Sequence, residues 1–138
     1  MRKKEQRMAI NPNMKTLVID DMMTMRKIIT KMLKQIGFTN LQEADDGATA
    51  WPMIEQAKEA GEPFEFIVSD WNMPKMSGLD LLIKIRGTEG IKDTPFLMVT
   101  AEAEQSNVVK VVQAGVSNFV VKPFKPDTLK EKIAKIFP

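Results

Sequence analysis

The 138-residue chain carries 20 Lys and Arg against 18 Asp and Glu, is 43% hydrophobic, and contains no His and no Cys. That is one domain's worth of chain with apolar content for a real core, and it excludes an imidazole base, a thiol nucleophile, a disulfide framework and any zinc–thiolate site. A bound metal would have oxygen ligands only, which favours Mg²⁺, Ca²⁺ or Mn²⁺.

The first segment, residues 1–14, sets Arg2, Lys3, Lys4 and Arg7 against Glu5, a net of +3. Since the whole chain is +2, the remainder carries −1, and the basic balance belongs to the tail rather than to a nucleic-acid face. We expect 1–14 to be a flexible extension and 15–138 to be the folded domain. No apolar stretch follows the tail's charges as in a signal peptide, and no window approaches the roughly 18 apolar residues of a membrane span.

From residue 15 two periodicities alternate. The run Leu17-Val18-Ile19 predicts a buried strand over 15–20 that ends in two acids. Met25, Ile28, Ile29, Met32, Leu33 and Ile36 recur at helical spacing over 24–36, and Gly37 stops the helix. A weak strand follows over 40–44. A helix over 48–60 contains Pro52, which is expected to kink or delay it. Strong strands are expected over 64–70 and 95–100. Between them lies a helix over 79–85 with Leu79, Leu82 and Ile83 as its apolar positions. A helix over 104–114, a strand over 118–121 and a last helix over 127–137, with Leu129, Ile133 and Ile136 on one face, complete five βα repeats. Apolar strands alternating with helices indicate a parallel sheet covered on both faces. The seven glycines form neither a GxGxxG nor a Walker loop, so nucleotide cradles have no support.

In an open α/β sheet the ligand site lies beyond the carboxyl ends of the strands. The polar residues predicted there are Asp20 and Asp21 after the first strand, Asp70 after the third, Thr100 after the fourth and Lys122 after the fifth. Each has an ordinary alternative. Asp21 suits a helix cap, Asp70 a turn, Thr100 a strand and Lys122 a solvated surface. Together they form a set: three carboxylates that repel one another unless a cation sits among them, with an ammonium and a hydroxyl beside them. Mg²⁺ is the expected cation and phosphate the expected anion.

The chain resembles the receiver domain of two-component response regulators. The matching stretches are Leu17-Val18-Ile19-Asp20-Asp21, Thr24-Met25-Arg26, Glu43-Ala44-Asp45-Asp46-Gly47, the run from Ser69 to Leu79, Leu97-Met98-Val99-Thr100-Ala101-Glu102-Ala103 and Val120-Val121-Lys122-Pro123-Phe124. The Asp-Trp-Asn-Met-Pro string at Asp70 and Thr-Ala-Glu-Ala at Thr100 are closest to the stand-alone chemotaxis type. The resemblance implies a flavodoxin-like (βα)5 fold with strand order 2-1-3-4-5. It implies Asp70 as phosphoacceptor and Mg²⁺ held by Asp21, Asp70 and the backbone carbonyl of Asn72, with Asp20 acting largely through water. It implies Lys122 and Thr100 as ligands of the phosphoryl group, a cis Lys122–Pro123 bond, and Thr100 with Phe119 as the moving pair of the switch. Asn72 and Glu102 are expected to tune dephosphorylation. Val108, Phe119, Lys125 and Lys132 are expected on the partner face formed by the fourth helix, fifth strand and fifth helix.

The implied function is that of a chemotaxis response regulator in the cytoplasm, a monomer without nucleic-acid or membrane binding. Its expected partners are a sensor histidine kinase of the chemotaxis type and a flagellar motor switch protein, and a phosphatase is admitted as a third. It would catalyse its own phosphorylation and dephosphorylation without being a turnover enzyme. Phe119 stands where that subgroup usually has Tyr, and Glu104-Gln105 where its best-known members carry a Lys pair. These departures motivate an alternative, a phosphorelay shuttle or phosphate sink. An Asp-nucleophile phosphatase would need Asp-x-Asp after the first strand, where this chain has Asp20-Asp21-Met22.

Overall fold

The computed structural model describes residues 10–101 and 105–138. Among the described residues ten elements alternate: β1 (Thr16–Ile19), α1 (Met23–Ile36), β2 (Leu41–Ala44), α2 (Gly47–Glu59), β3 (Phe66–Asp70), α3 (Gly78–Arg86), β4 (Phe96–Thr100), α4 (Gln105–Gln113), β5 (Asn118–Val121) and α5 (Pro126–Ile136). The strands form one sheet in the order β2-β1-β3-β4-β5, every neighbouring pair parallel. The architecture is therefore the expected flavodoxin-like one.

Side chains alternate across each strand, so the sheet feeds two cores. Leu17, Ile19, Ile67, Phe96 and Met98 point to one face and pack with Ala50 and Ile54 of α2, Leu81, Leu82 and Ile85 of α3 and Val111 of α4. Val18, Phe66, Val68, Leu97, Val99 and Val120 point to the other and pack with Ile29 and Leu33 of α1 and Leu129 and Ile133 of α5. β1, β3 and β4 are buried along their whole length, whereas β2 and β5 are edges and only partly covered.

Several expectations shift. Ile28 is 40% exposed, because it sits about one 100° step before Ile29 and so falls at the margin of the α1 stripe. Ile83 is 53% exposed, and the buried face of α3 is Leu81, Leu82 and Ile85. That short helix holds more aliphatic residues than one stripe can cover, so its sequence admits two faces. Pro52 does not delay α2, which begins at Gly47, where the Asp46 carboxylate accepts the Thr49 N–H at 2.8 Å as an N-cap. The folded part also begins before residue 15. Ile10 and Met14 pack on the second core, and the Pro12 carbonyl accepts the Thr39 N–H at 2.8 Å. Glu102 and Glu104 lie outside the described residues.

Candidate functional site

The three apolar central strands carry their terminal polar residues to one edge of the sheet. Asp20 directly follows β1, Asp70 ends β3 and Thr100 ends β4; their exposures are 0%, 7% and 2%. Burying charge or polarity this way is costly unless each group is bonded. Asp20 is bonded at every oxygen. Its Oδ1 accepts the Met22 N–H at 2.9 Å, its Oδ2 lies 3.3 Å from Lys122 Nζ, and its backbone carbonyl accepts from Arg26 Nη1 at 2.7 Å. The N-cap of α1 is Met22, and no side chain caps that helix. Asp21 is thus released from the capping role and stands exposed.

Asp70 Oδ1 accepts the Trp71 N–H at 2.9 Å and lies 3.4 Å from Lys122 Nζ. Lys122 follows β5 and is held by its own N–H, which donates to the Thr100 carbonyl at 2.7 Å; the Lys122–Pro123 peptide is cis. Burial first, and the neighbouring Asp20 charge second, push the Asp70 carboxyl up to about 6, against the opposing pull of Lys122 and the Trp71 N–H.

Asp20, Asp21 and Asp70 each offer a carboxylate oxygen within 4.8 Å of the others. An all-oxygen set of three acids, two of them buried, with one lysine to share, suits a small hard divalent cation, and Mg²⁺ fits. The exposed Asp21 leaves a side open to water, which Mg²⁺ retains.

The remaining residues expected at the site divide by position. Asn72 is exposed in the loop two residues after Asp70. Phe119 is half-buried on β5, paired in register with Met98, and Lys132 Nζ lies 5.5 Å from its ring centre. Phe119, Lys125 and Lys132 line one cleft of about 500 Å³ between β5 and α5, together with Phe124 and Thr128. Val108 is half-buried on α4 and is not among that cleft's lining residues.

Two residues act on the site without having been singled out by sequence. Arg26 grips the Asp20 carbonyl. Gly78 opens α3 against the backbone of β3, where a Cβ would stand 2.1 Å from the Asp70 carbonyl oxygen, and its N–H donates to the Trp71 carbonyl at 2.8 Å. Both fall inside the quoted motifs, but their contacts are set by tertiary placement.

Residues 16–134 match the response regulator receiver domain family. The chain is 51% identical over 128 residues to chemotaxis protein CheY-3 of Vibrio cholerae serotype O1, covering 93% of this chain and 95% of that one. It is 52% identical over 124 residues to chemotaxis protein CheY of Pseudomonas aeruginosa, covering 90% and 96%. Among solved structures it is similar to the chemotaxis response regulator CheY4 of Vibrio cholerae, with a TM-score of 0.80 at 30% identity over 91% of this chain and 99% of that one. It is also similar to the receiver domain of a Pseudomonas aeruginosa sensor histidine kinase with a magnesium ion coordinated in its active site cleft. There the TM-score is 0.75 at 25% identity, over 88% of this chain and 94% of that one.

Proposed function

The chain belongs to the response regulator receiver family, and from that premise we propose that it is a phosphorylation-activated chemotaxis response regulator with Asp70 as its phosphoacceptor. The observation that carries this reading is the placement of Asp70: buried, fixed by the Trp71 N–H, and flanked by the Lys122 ammonium and the Asp20 and Asp21 carboxylates. Its likeness to chemotaxis proteins along nearly the whole chain supports the pathway.

In this reading an Asp70 carboxylate oxygen attacks the phosphorus of a phosphohistidine on a sensor kinase. The P–N bond breaks, its electron pair stays with the imidazole, and an acyl phosphate forms. With no His, this chain carries no phosphohistidine of its own to serve as donor. A carboxylate is a weak nucleophile, so positioning and charge stabilisation carry the step. Asp20, Asp21, Asp70 and the Asn72 carbonyl would hold Mg²⁺, which supplies positive charge to the phosphoryl oxygens. Lys122, which follows β5, supplies more.

The phosphorylated side chain offers Lys122 and Thr100 acceptor oxygens that the free carboxylate lacks. Contacts made in one state only shift the balance between two conformations. Thr100 and Phe119, on neighbouring strands, transmit that shift to the face of α4, β5 and α5. The cleft between β5 and α5, with its lysines and phenylalanines, suits an acidic, partly apolar segment of a flagellar motor switch protein. The protein would then work in the cytoplasm and turn over no separate substrate; among the described residues no helix is long and apolar enough to cross a membrane.

Binding of a motor-switch peptide, with and without a phosphoryl mimic on Asp70, tests the reading. Tighter binding in the mimic state is expected, and equal binding in both states contradicts it.

A further inference from the structure

Arg26 is no part of the acidic corner, yet its guanidinium ties that corner to the neighbouring strand. Nε donates to Glu43 Oε1 on β2 at 2.9 Å, and Nη1 donates to the backbone carbonyl of Asp20 at 2.7 Å. The Arg26 side chain is only 14% exposed. Its anchor is itself braced, since Lys27 Nζ lies 2.9 Å from Glu43 Oε2. Burial would raise the Glu43 carboxyl, but the hydrogen bonds and charges of Lys27 and Arg26 outweigh it and hold the group below its ordinary range. The Arg26 main chain is fixed as well: its carbonyl accepts from Thr30 Oγ1 at 2.6 Å and its N–H donates to the Met22 carbonyl at 2.9 Å.

The carbonyl that Arg26 holds belongs to the peptide joining Asp20 to Asp21. The orientation of that peptide sets where the Asp21 side chain leaves the backbone. Asp20 has its two carboxylate oxygens committed to the Met22 N–H and to Lys122, so the corner is bonded on each side by a different element. A planar guanidinium spans a carboxylate and a carbonyl at once in a fixed fork; an ammonium, a compact point charge, does not reproduce that geometry.

We propose that Arg26 is a positioning residue for the metal site: it fixes the Asp20–Asp21 peptide against β2 and thereby raises Mg²⁺ affinity. The inference rests on the reading of Asp20, Asp21 and Asp70 as a Mg²⁺ site. Charge alone predicts the opposite sign, because a cation beside the corner repels a divalent ion and its removal should tighten binding. Groups that orient metal ligands typically cost tenfold or more in affinity when removed.

The test is a Mg²⁺ titration of the full chain followed by tryptophan fluorescence, for wild type, Arg26→Met and Arg26→Lys, with circular dichroism to establish folding. Positioning predicts about tenfold weaker Mg²⁺ binding in Arg26→Met and several-fold weaker binding in Arg26→Lys, which keeps the charge and loses the fork. Unchanged binding in Arg26→Lys, or tighter binding in Arg26→Met, would overturn the role; if Arg26→Met does not fold, Arg26→Lys decides alone. A wild type that binds no Mg²⁺ would overturn the metal site and this role together, whereas a wild type that binds as its variants do would overturn the positioning role only.

Discussion

Lys122 Nζ lies 3.4 Å from Asp70 Oδ1, although Asp70 ends β3 and Lys122 follows β5, two strands that are not neighbours in the sheet. β4 runs between them, and the lysine crosses its end. The ammonium both stabilises the Asp70 carboxylate and stands where a phosphoryl group on that carboxylate would need positive charge. Replacement by Met should therefore act twice. The Asp70 carboxyl should titrate above its present value of about 6 in metal-free protein, read by carbon NMR. Phosphorylation from a small-molecule donor should slow by about 100-fold, the usual cost of removing one preorganised electrostatic group.

Stability without metal should depend on pH through Asp70. Its folded value of about 6 lies above the unfolded 3.8, so the folded state holds this proton more tightly. The resulting penalty is fully present above about pH 6, shrinks as pH falls, and is gone below 3.8. Asp70→Asn removes it. In EDTA the variant should be more stable than wild type at pH 7.5 by at most about 3 kcal/mol, and the gap should narrow by pH 4.5. Urea unfolding of both proteins at the two pH values measures this, and a gap that widens on acidification would refute the account.

Gly78 is needed for space. A Cβ would meet the Asp70 carbonyl oxygen at 2.1 Å and Met98 Sδ at 3.0 Å. Gly78→Ala should cost about 2–3 kcal/mol, toward the upper end for overpacking, by displacing the end of β3. It should also slow phosphorylation, since the displaced residue is the acceptor; urea midpoints and adduct rates give the two readouts.

Asp46 offers a control at the same edge of the sheet but outside the set of acids and Lys122. Its carboxylate caps α2 through the Thr49 N–H at 2.8 Å. Asp46→Ala should lower stability by about 1 kcal/mol and leave Mg²⁺ affinity unchanged. Denaturant midpoints and a metal titration check both halves.

The sheet was legible wherever burial was two-sided. β1, β3 and β4 are covered on both faces and so read as unbroken apolar runs, with their terminal Asp and Thr marking the site. β2 is an edge, and its Gln42 and Glu43 dilute the signal. The acids and Lys122 were legible because parallel strands bring every C-terminal end to one side. Arg26 and Gly78 were not, because each acts on a backbone carbonyl brought near only by packing, and a contact to a carbonyl leaves no residue type to pair with in the sequence. Ile83 misled for a related reason, since periodicity identifies an apolar helix but does not choose between two overlapping faces.

The most direct test of the central claim is intact mass after incubation with acetyl phosphate and Mg²⁺, for wild type and Asp70→Asn. The account predicts a single phosphoryl adduct on wild type that requires Mg²⁺ and is absent from the variant. A folded, Mg²⁺-bound wild type without an adduct, or an adduct that persists in Asp70→Asn, would contradict it.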